Sequence, residues 1–151
     1  MNATAAYQEA LAQLDQWREV PEADDVAVMA NLVAILKSLW PHCTWIGFYR
    51  APFAGQDLVL GPFWGDPAPL VVPWGSGVIG SCAQERAVQI VGAVSRFAGY
   101  IPAVSRTQSE VAWPIIRGTH LYAVLDCQAA EENGFDLADI EWMGKFADRL
   151  S

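Results

Sequence analysis

The chain is poor in basic residues and has no long apolar run. Its 151 residues include 9 Lys and Arg against 17 Asp and Glu, so the formal net charge is -8. Nucleic acids and anionic membrane surfaces require a basic face, and this charge argues against both as partners. No uncharged apolar run approaches the ~20 residues that span a bilayer, and the N-terminus lacks the basic start of a signal peptide. We therefore expect a soluble protein without a signal peptide that binds neither nucleic acids nor anionic membranes.

Cysteine is also scarce. The chain has only Cys43, Cys82 and Cys127, which are far apart in sequence and form no CxxC or CxxH pattern. A zinc site and a disulfide framework are both disfavoured by this count and spacing. The simplest interpretation is that all three are buried thiols that behave as small apolar residues. We expect no metal and no cofactor.

What the chain does have is enough apolar material for a core. Hydrophobic residues make up 53% of the sequence, and the length suits one domain that spans residues 1–151. The pattern places two N-terminal helices within about 5–40, a sheet with its loops within about 43–128, and a C-terminal helix at about 136–150. Strands outnumber the helices between them and are joined by hairpin signals, which predicts an α+β fold with a mainly antiparallel sheet.

Periodicity and breakers give the bounds of these elements. Apolar spacing predicts a first helix over Ala6–Trp17, and Pro21 suits the first turn of a second helix that Pro41 ends. Asp136 is suited to cap the last helix. β-branched and aromatic runs predict six strands. They are Cys43–Arg50, Asp57–Phe63, Leu70–Val72, Val88–Val91, Ser109–Ile116 and His120–Asp126.

Two loops stand out. The glycine-rich segment from Pro73 to Cys82 precedes a predicted helix over Val78–Glu85, and it fits either a plain strand-to-helix turn or an anion site on backbone N–H groups. The segment from Gly92 to Gln108 is long for a compact domain, which favours a functional or disordered loop.

In the strand from Cys43, alternation predicts that Cys43 and Trp45 share one face.

Seven segments then match a known family in order and spacing. They are TWIGFY, LVLGPFWG, PWGSGVIG, FAGYI, SEVAWPI, VLDCQ and the GFD before the last helix. Between about Trp45 and Leu150 the chain resembles the free methionine-(R)-sulfoxide reductases, which are stand-alone GAF domains. The resemblance implies the GAF fold, with a six-stranded mainly antiparallel sheet flanked by helices. It also implies a cytosolic location and a homodimer.

The resemblance is incomplete at the positions of the family's catalytic cysteines. Members of that family use a thiolate to attack the sulfoxide sulfur, a second cysteine to resolve the sulfenic acid as a disulfide, and thioredoxin to reduce it. Their three motif cysteines correspond here to Pro69, Ile79 and Ala103. We therefore expect no catalytic residue and a pseudoenzyme that acts as a small-molecule-binding or dimeric scaffold module. The alternative is a reductase with relocated thiols, such as Cys82 near a helix N-terminus, which would require thioredoxin.

The resemblance also assigns a pocket for a small amino-acid-like ligand. Its residues are Trp45, Tyr49, Ala103, Glu110, Asp126 and Gln128. Gln128 replaces one of two carboxylates in the family's LDID motif, so a cationic ligand should bind more weakly here. From the sequence alone, Glu110 fits a solvated outward position as well as a pocket, and Asp126 fits a turn cap. Alternation predicts that Cys127 points away from Asp126 and Gln128.

Overall fold

The computed structural model describes residues 3–52, 56–100 and 106–151. The helices are α1 (Ala3–Arg18), α2 (Asp25–Leu39), α3 (Gly77–Glu85) and α4 (Leu137–Arg149). The strands are β1 (Cys43–Arg50), β2 (Leu58–Trp64), β3 (Val71–Val72), β4 (Gln89–Val91), β5 (Ser109–Arg117) and β6 (His120–Ala129). In the described part of the chain, no helix is both long enough and apolar enough to cross a membrane.

The six strands form one sheet in the order β3-β2-β1-β6-β5-β4. Every neighbouring pair is antiparallel, which confirms the predicted sheet. The longest strands, β1, β5 and β6, lie in the interior of this order, and the short β3 and β4 form its edges. Gly118 has a φ of +61° in the tight β5–β6 turn, a conformation that glycine adopts without steric cost.

A core with aromatic side chains covers one face of the sheet, which we call the helix face because α1, α2 and α4 pack on it. Tyr7 of α1 stacks on Trp142 of α4 at 4.8 Å between ring centroids. The indole Nε1–H of Trp40 donates to the Tyr7 hydroxyl at 2.6 Å, so the buried polar atoms here are paired. Phe146 meets both Tyr7 and Trp40 edge-on.

The other face, which we call the pocket face, carries a second core that includes α3. Trp45 and Tyr49 belong to it, whereas Cys43 lies in the helix-face core beside Ile46 and Cys127. The prediction that Cys43 shares the face of Trp45 was wrong. The pairing of β1 with β6 shifts register between these two residues, and such an irregularity reverses the alternation of side chains.

Helix starts follow their capping residues. The carboxylate of Asp24 accepts the N–H of Ala27 at 2.9 Å, so α2 begins at Asp25 and not at Pro21 as the sequence predicted. Asp136 caps α4 as predicted, and it forms a reciprocal capping box with Asp139. In each case an acidic side chain takes up backbone N–H groups that the helix leaves unpaired.

Candidate functional site

A small cavity of about 60 Å³ lies on the pocket face. Its walls come from β1, from the segment that leads through β3 into α3, and from β5. The residues that matter for its chemistry are Tyr49, Pro69, Ser76, Ile79 and Glu110. Most of this lining is apolar, and Glu110 supplies the charged group.

The start of α3 borders this cavity. Ser76 takes the N-cap position with extended backbone, and its side chain makes no capping hydrogen bond. Ser76, Gly77 and Val78 all line the cavity, so the first backbone N–H groups of the helix lie at its wall. The backbone hydrogen bonds from Ser76 N–H to the carbonyl of Pro73 and from Gly75 N–H to the carbonyl of Gly80 are those of a strand-to-helix turn, and the anion site stays a prediction.

Strand register brings the three predicted polar residues together. Glu110 of β5 pairs with Gln128 of β6, and Ala112 pairs with Asp126. Glu110, Asp126 and Gln128 therefore share the pocket face, with exposed fractions of only 2%, 0% and 1%. Glu110 is not a solvated outward residue. Cys127 lies between Asp126 and Gln128 and belongs to the helix-face core, as alternation predicted.

A chain of hydrogen bonds fixes the inner carboxylate. The Thr107 hydroxyl donates to Gln128 Oε1 at 2.7 Å, and Gln128 Nε2–H donates to Asp126 Oδ2 at 2.8 Å. Asp126 Oδ1 is buried and has no hydrogen-bond partner among the described residues. Glu110 is within hydrogen-bonding reach of Asp126, but a carboxyl group donates only when it is protonated.

Burial governs the electrostatics of this cluster. It raises the pKa of Glu110 well above its ordinary value, and the charge of Asp126 raises this pKa further. Burial also raises the pKa of Asp126, although hydrogen bonds from Glu110 and Gln128 act in the opposite direction. Tyr49 and Tyr100 have raised pKa values, mainly because burial disfavours their charged forms. The pair of carboxyl groups therefore retains a proton under conditions in which exposed carboxyl groups have lost theirs.

Two aromatic residues shape the wall. Trp45 and Tyr49 are both fully buried, with ring centroids 6.1 Å apart, and Trp45 also stacks on Phe63. Trp45 Nε1–H donates to the carbonyl of Asp66 at 3.1 Å, and the Tyr49 hydroxyl donates to the carbonyl of Pro69 at 2.8 Å. These bonds hold the segment after β2 against the sheet, which positions Pro69 at the cavity.

The predicted ligand residues differ in their access to the cavity. Tyr49 and Glu110 line it directly, whereas Trp45, Asp126 and Gln128 are buried in the wall and do not belong to its lining. Ala103 lies outside the described residues. Thr107 was missed, because its contact with Gln128 depends on the path of a long loop that no local pattern specifies.

Two of the three positions at which the resemblance calls for cysteine border this cavity. Pro69 and Ile79 both line it. The native cysteines do not: Cys82 is fully buried in the pocket-face core, and its Sγ–H points to the carbonyl of Ala112 at 3.5 Å. Burial raises the pKa of Cys82 above its ordinary value, and this disfavours the thiolate that a nucleophile requires. The hypothesis of a relocated nucleophile at Cys82 gains no support from this geometry.

Comparison with known proteins gives consistent matches. The family model of the GAF domain matches residues 10–151. Protein YtsP of Bacillus subtilis is 37% identical over 144 residues, which cover 95% of this chain and 88% of that protein. The free methionine-R-sulfoxide reductase of Saccharomyces cerevisiae is 35% identical over 74% of this chain and 63% of its own. The solved free methionine-R-sulfoxide reductase of Neisseria meningitidis, in complex with its substrate, has a TM-score of 0.88 and 31% identity, and the match covers 99% of this chain and 89% of that one.

Proposed function

The chain belongs to the GAF domain family and, within it, to the free methionine-R-sulfoxide reductases, and from this premise we propose that it binds a small amino-acid-like molecule without reducing it. The observation that carries the proposal is the composition of the cavity wall. Pro69 and Ile79 stand beside Glu110, where the resemblance to the family calls for thiols. Neither side chain has a nucleophilic atom.

The chemistry of sulfoxide reduction supports the inactive assignment. A thiolate must reach the sulfoxide sulfur, and the reactive form is favoured by exposure and by nearby positive charge. All three cysteines of this chain are buried. Cys43 and Cys127 belong to the helix-face core on the other side of the sheet, and Cys82 has a raised pKa. A relocated reductase would require Cys82 to leave this buried position.

The arrangement of charges supports an amino-acid-like ligand. The N-terminus of α3 offers backbone N–H groups and the positive end of a helix dipole, which suit a carboxylate. Glu110 offers the opposite charge when it is ionised and suits an ammonium group. Both features border one cavity of about 60 Å³. A zwitterion with a short side chain fits this combination, and the apolar wall at Val72 and Ile79 suits the side chain.

Free methionine and its sulfoxides are the first ligands to test, because the relatives act on such a molecule. The experiment is a thermal-shift series on the purified protein with L-methionine and with each sulfoxide epimer. A ligand at about 100 times its Kd should add about 2.7 kcal/mol to the free energy of unfolding. Glu110→Gln should reduce this stabilisation, and the exposed Glu141→Gln on α4 should leave it unchanged.

A coupled assay separates binding from turnover. With L-methionine-(R)-sulfoxide, thioredoxin, thioredoxin reductase and NADPH, we expect no NADPH oxidation above the blank without protein. Turnover that disappears in Cys82→Ser would establish the relocated reductase. Turnover that survives in the triple variant Cys43→Ser, Cys82→Ser, Cys127→Ser would mean that a group other than a thiol does the chemistry.

We also propose that the protein is a cytoplasmic homodimer, as the resemblance to the family implies. Light scattering coupled to gel filtration measures the mass directly. A species of twice the chain mass of 16.5 kDa is expected. A monomer at micromolar concentration would contradict this part of the proposal and would leave ligand binding unaffected.

A further inference from the structure

We propose that the pocket exchanges a proton for its ligand: Glu110 is protonated while the pocket is empty, and it releases this proton to solvent when a ligand ammonium group binds beside it. The inference rests on the proposed function and adds to it the charge class of the ligand. It predicts that ligands with an ammonium group bind more tightly as the pH rises, whereas ligands without this group do not.

The first support is the geometry of the two carboxyl groups. Glu110 and Asp126 lie on adjacent strands of the pocket face, and both are almost completely buried. Gln128 donates to Oδ2 of Asp126, and in the described part of the chain no donor bonds to Oδ1. Glu110 is the neighbouring group that can supply one, and it must carry a proton to do so. A protonated Glu110 therefore completes the hydrogen bonding of the empty pocket.

The second support is the absence of a counter-ion among the described residues around Glu110. The polar and titratable groups that face it come from β1, β6, α3 and the loop before β5. They are Tyr49, Asp126, Gln128, Ser76, Tyr100 and Thr107. From β4, its strand partner is the apolar Val91. The segment 101–105 reads IPAVS and contains no charged residue, and Arg106 after it is exposed.

Two negative charges without a cation are costly in such a place, so the second ionisation is disfavoured. A ligand ammonium group reverses this condition because it brings the missing positive charge into the cavity that Glu110 lines. The proton leaves the Glu110 carboxyl for bulk water, and the carboxylate then accepts an N–H from the ligand. The positive charge of the ligand ammonium group offsets the negative charge that Glu110 acquires, so these two charges compensate each other inside the cavity.

Isothermal titration calorimetry with L-methionine-(R)-sulfoxide tests the exchange. Release of one proton should tighten the Kd by up to about tenfold for each pH unit between about pH 6 and pH 8. The binding heat at one pH should also differ between phosphate and Tris, because each buffer takes up the proton with its own enthalpy. The ligand 4-(methylsulfinyl)butanoate, which lacks the ammonium group, should release no proton.

Variants assign the proton to Glu110. Asp126→Asn removes the second negative charge but leaves Glu110 buried, so the pKa of Glu110 should fall and the range of pH-dependent binding should move to lower pH. Glu110→Gln should abolish the proton release and weaken binding, and Glu141→Gln should retain the wild-type slope. In case Asp126→Asn does not fold, NMR of the wild-type protein with 13C-labelled glutamate follows the Glu110 carboxyl directly in the empty pocket.

The outcomes distinguish the two proposals. Binding with the same Kd at every pH and the same heat in both buffers would overturn the proton exchange and leave the proposed function intact. Absence of binding by every probe at every pH would overturn both. A Glu110 carboxyl that is already ionised at pH 6 in the empty protein would also overturn the exchange, whatever the ligand does.

Discussion

The two faces of the sheet bury similar kinds of side chain but treat polar groups differently. On the helix face, Tyr7 and Trp40 pair their polar atoms with each other inside an aromatic cluster. On the pocket face, Glu110 and Asp126 are buried close together, and the described residues place no cation beside them. Oδ1 of Asp126 has no hydrogen-bond donor among those residues. The second arrangement borders a cavity that Glu110 lines.

This difference in the pairing of polar groups distinguishes residues that mainly stabilise the fold from residues that form the candidate site. Paired polar atoms in an apolar core favour one packed structure, and they leave no group free for a ligand. Buried like charges lower stability, and they persist in proteins mainly where function requires them. We therefore propose that the helix face mainly stabilises the fold and that the pocket face binds the ligand. The predictions below test this division from the largest expected effect to the smallest.

The first test compares one substitution on each face. Ile115→Ala removes a fully buried side chain from the helix-face core and should lower the free energy of unfolding by about 3–5 kcal/mol. Ile79→Ala should cost only about 2 kcal/mol, because this side chain already borders a cavity and loses fewer contacts. Urea denaturation at constant m-value measures both. Equal losses would contradict the division of roles.

The second test uses pH. Glu110 has a folded pKa above its unfolded value, so the native state retains a proton that the unfolded chain has lost. This contribution to stability is present at low pH and disappears as the pH rises through the raised pKa. Glu110→Gln imitates the protonated form at every pH. It should be more stable than the wild type at pH 8, and this difference should shrink towards zero below about pH 5.

Urea denaturation at a series of pH values checks this second expectation, and Glu141→Gln serves as the control because its carboxyl group is exposed. A variant that loses stability at pH 8 would mean that the ionised Glu110 has a cationic partner in the folded protein. In that event the empty pocket would already contain a positive charge that compensates the carboxylate of Glu110.

The smallest effect concerns the helix caps. Asp136→Ala removes a capping box at α4 on the helix face and should cost about 1 kcal/mol. Ser76→Ala at α3 should cost no more than a few tenths of a kcal/mol, because Ser76 makes no capping hydrogen bond with its side chain. Thermal unfolding of the two variants measures the contrast. A comparable loss at Ser76 would show that its hydroxyl caps the helix in solution.

Much of the fold was predictable because local patterns specify it. Alternation and turn signals gave six strands, and the hairpin of β5 and β6 followed from the Arg117-Gly118-Thr119 turn. The face of Cys43 was not predictable, because one register shift in β1 reverses the alternation and no residue type marks that shift. The start of α2 was misplaced because Pro21 and Asp24 are both acceptable helix starts, and only the observed hydrogen bond decides between them.

For the site, the sequence by itself determined which atoms are missing. Pro69, Ile79 and Ala103 have no thiol in any fold, and Gln128 has no charge. Tertiary structure alone decided that Pro69 and Ile79 border one cavity, that Asp126 and Gln128 lie behind its wall, and that Thr107 reaches Gln128. The physical reason is that chemical identity belongs to a residue, whereas burial, pKa and hydrogen-bond pairing belong to neighbours that are distant in sequence.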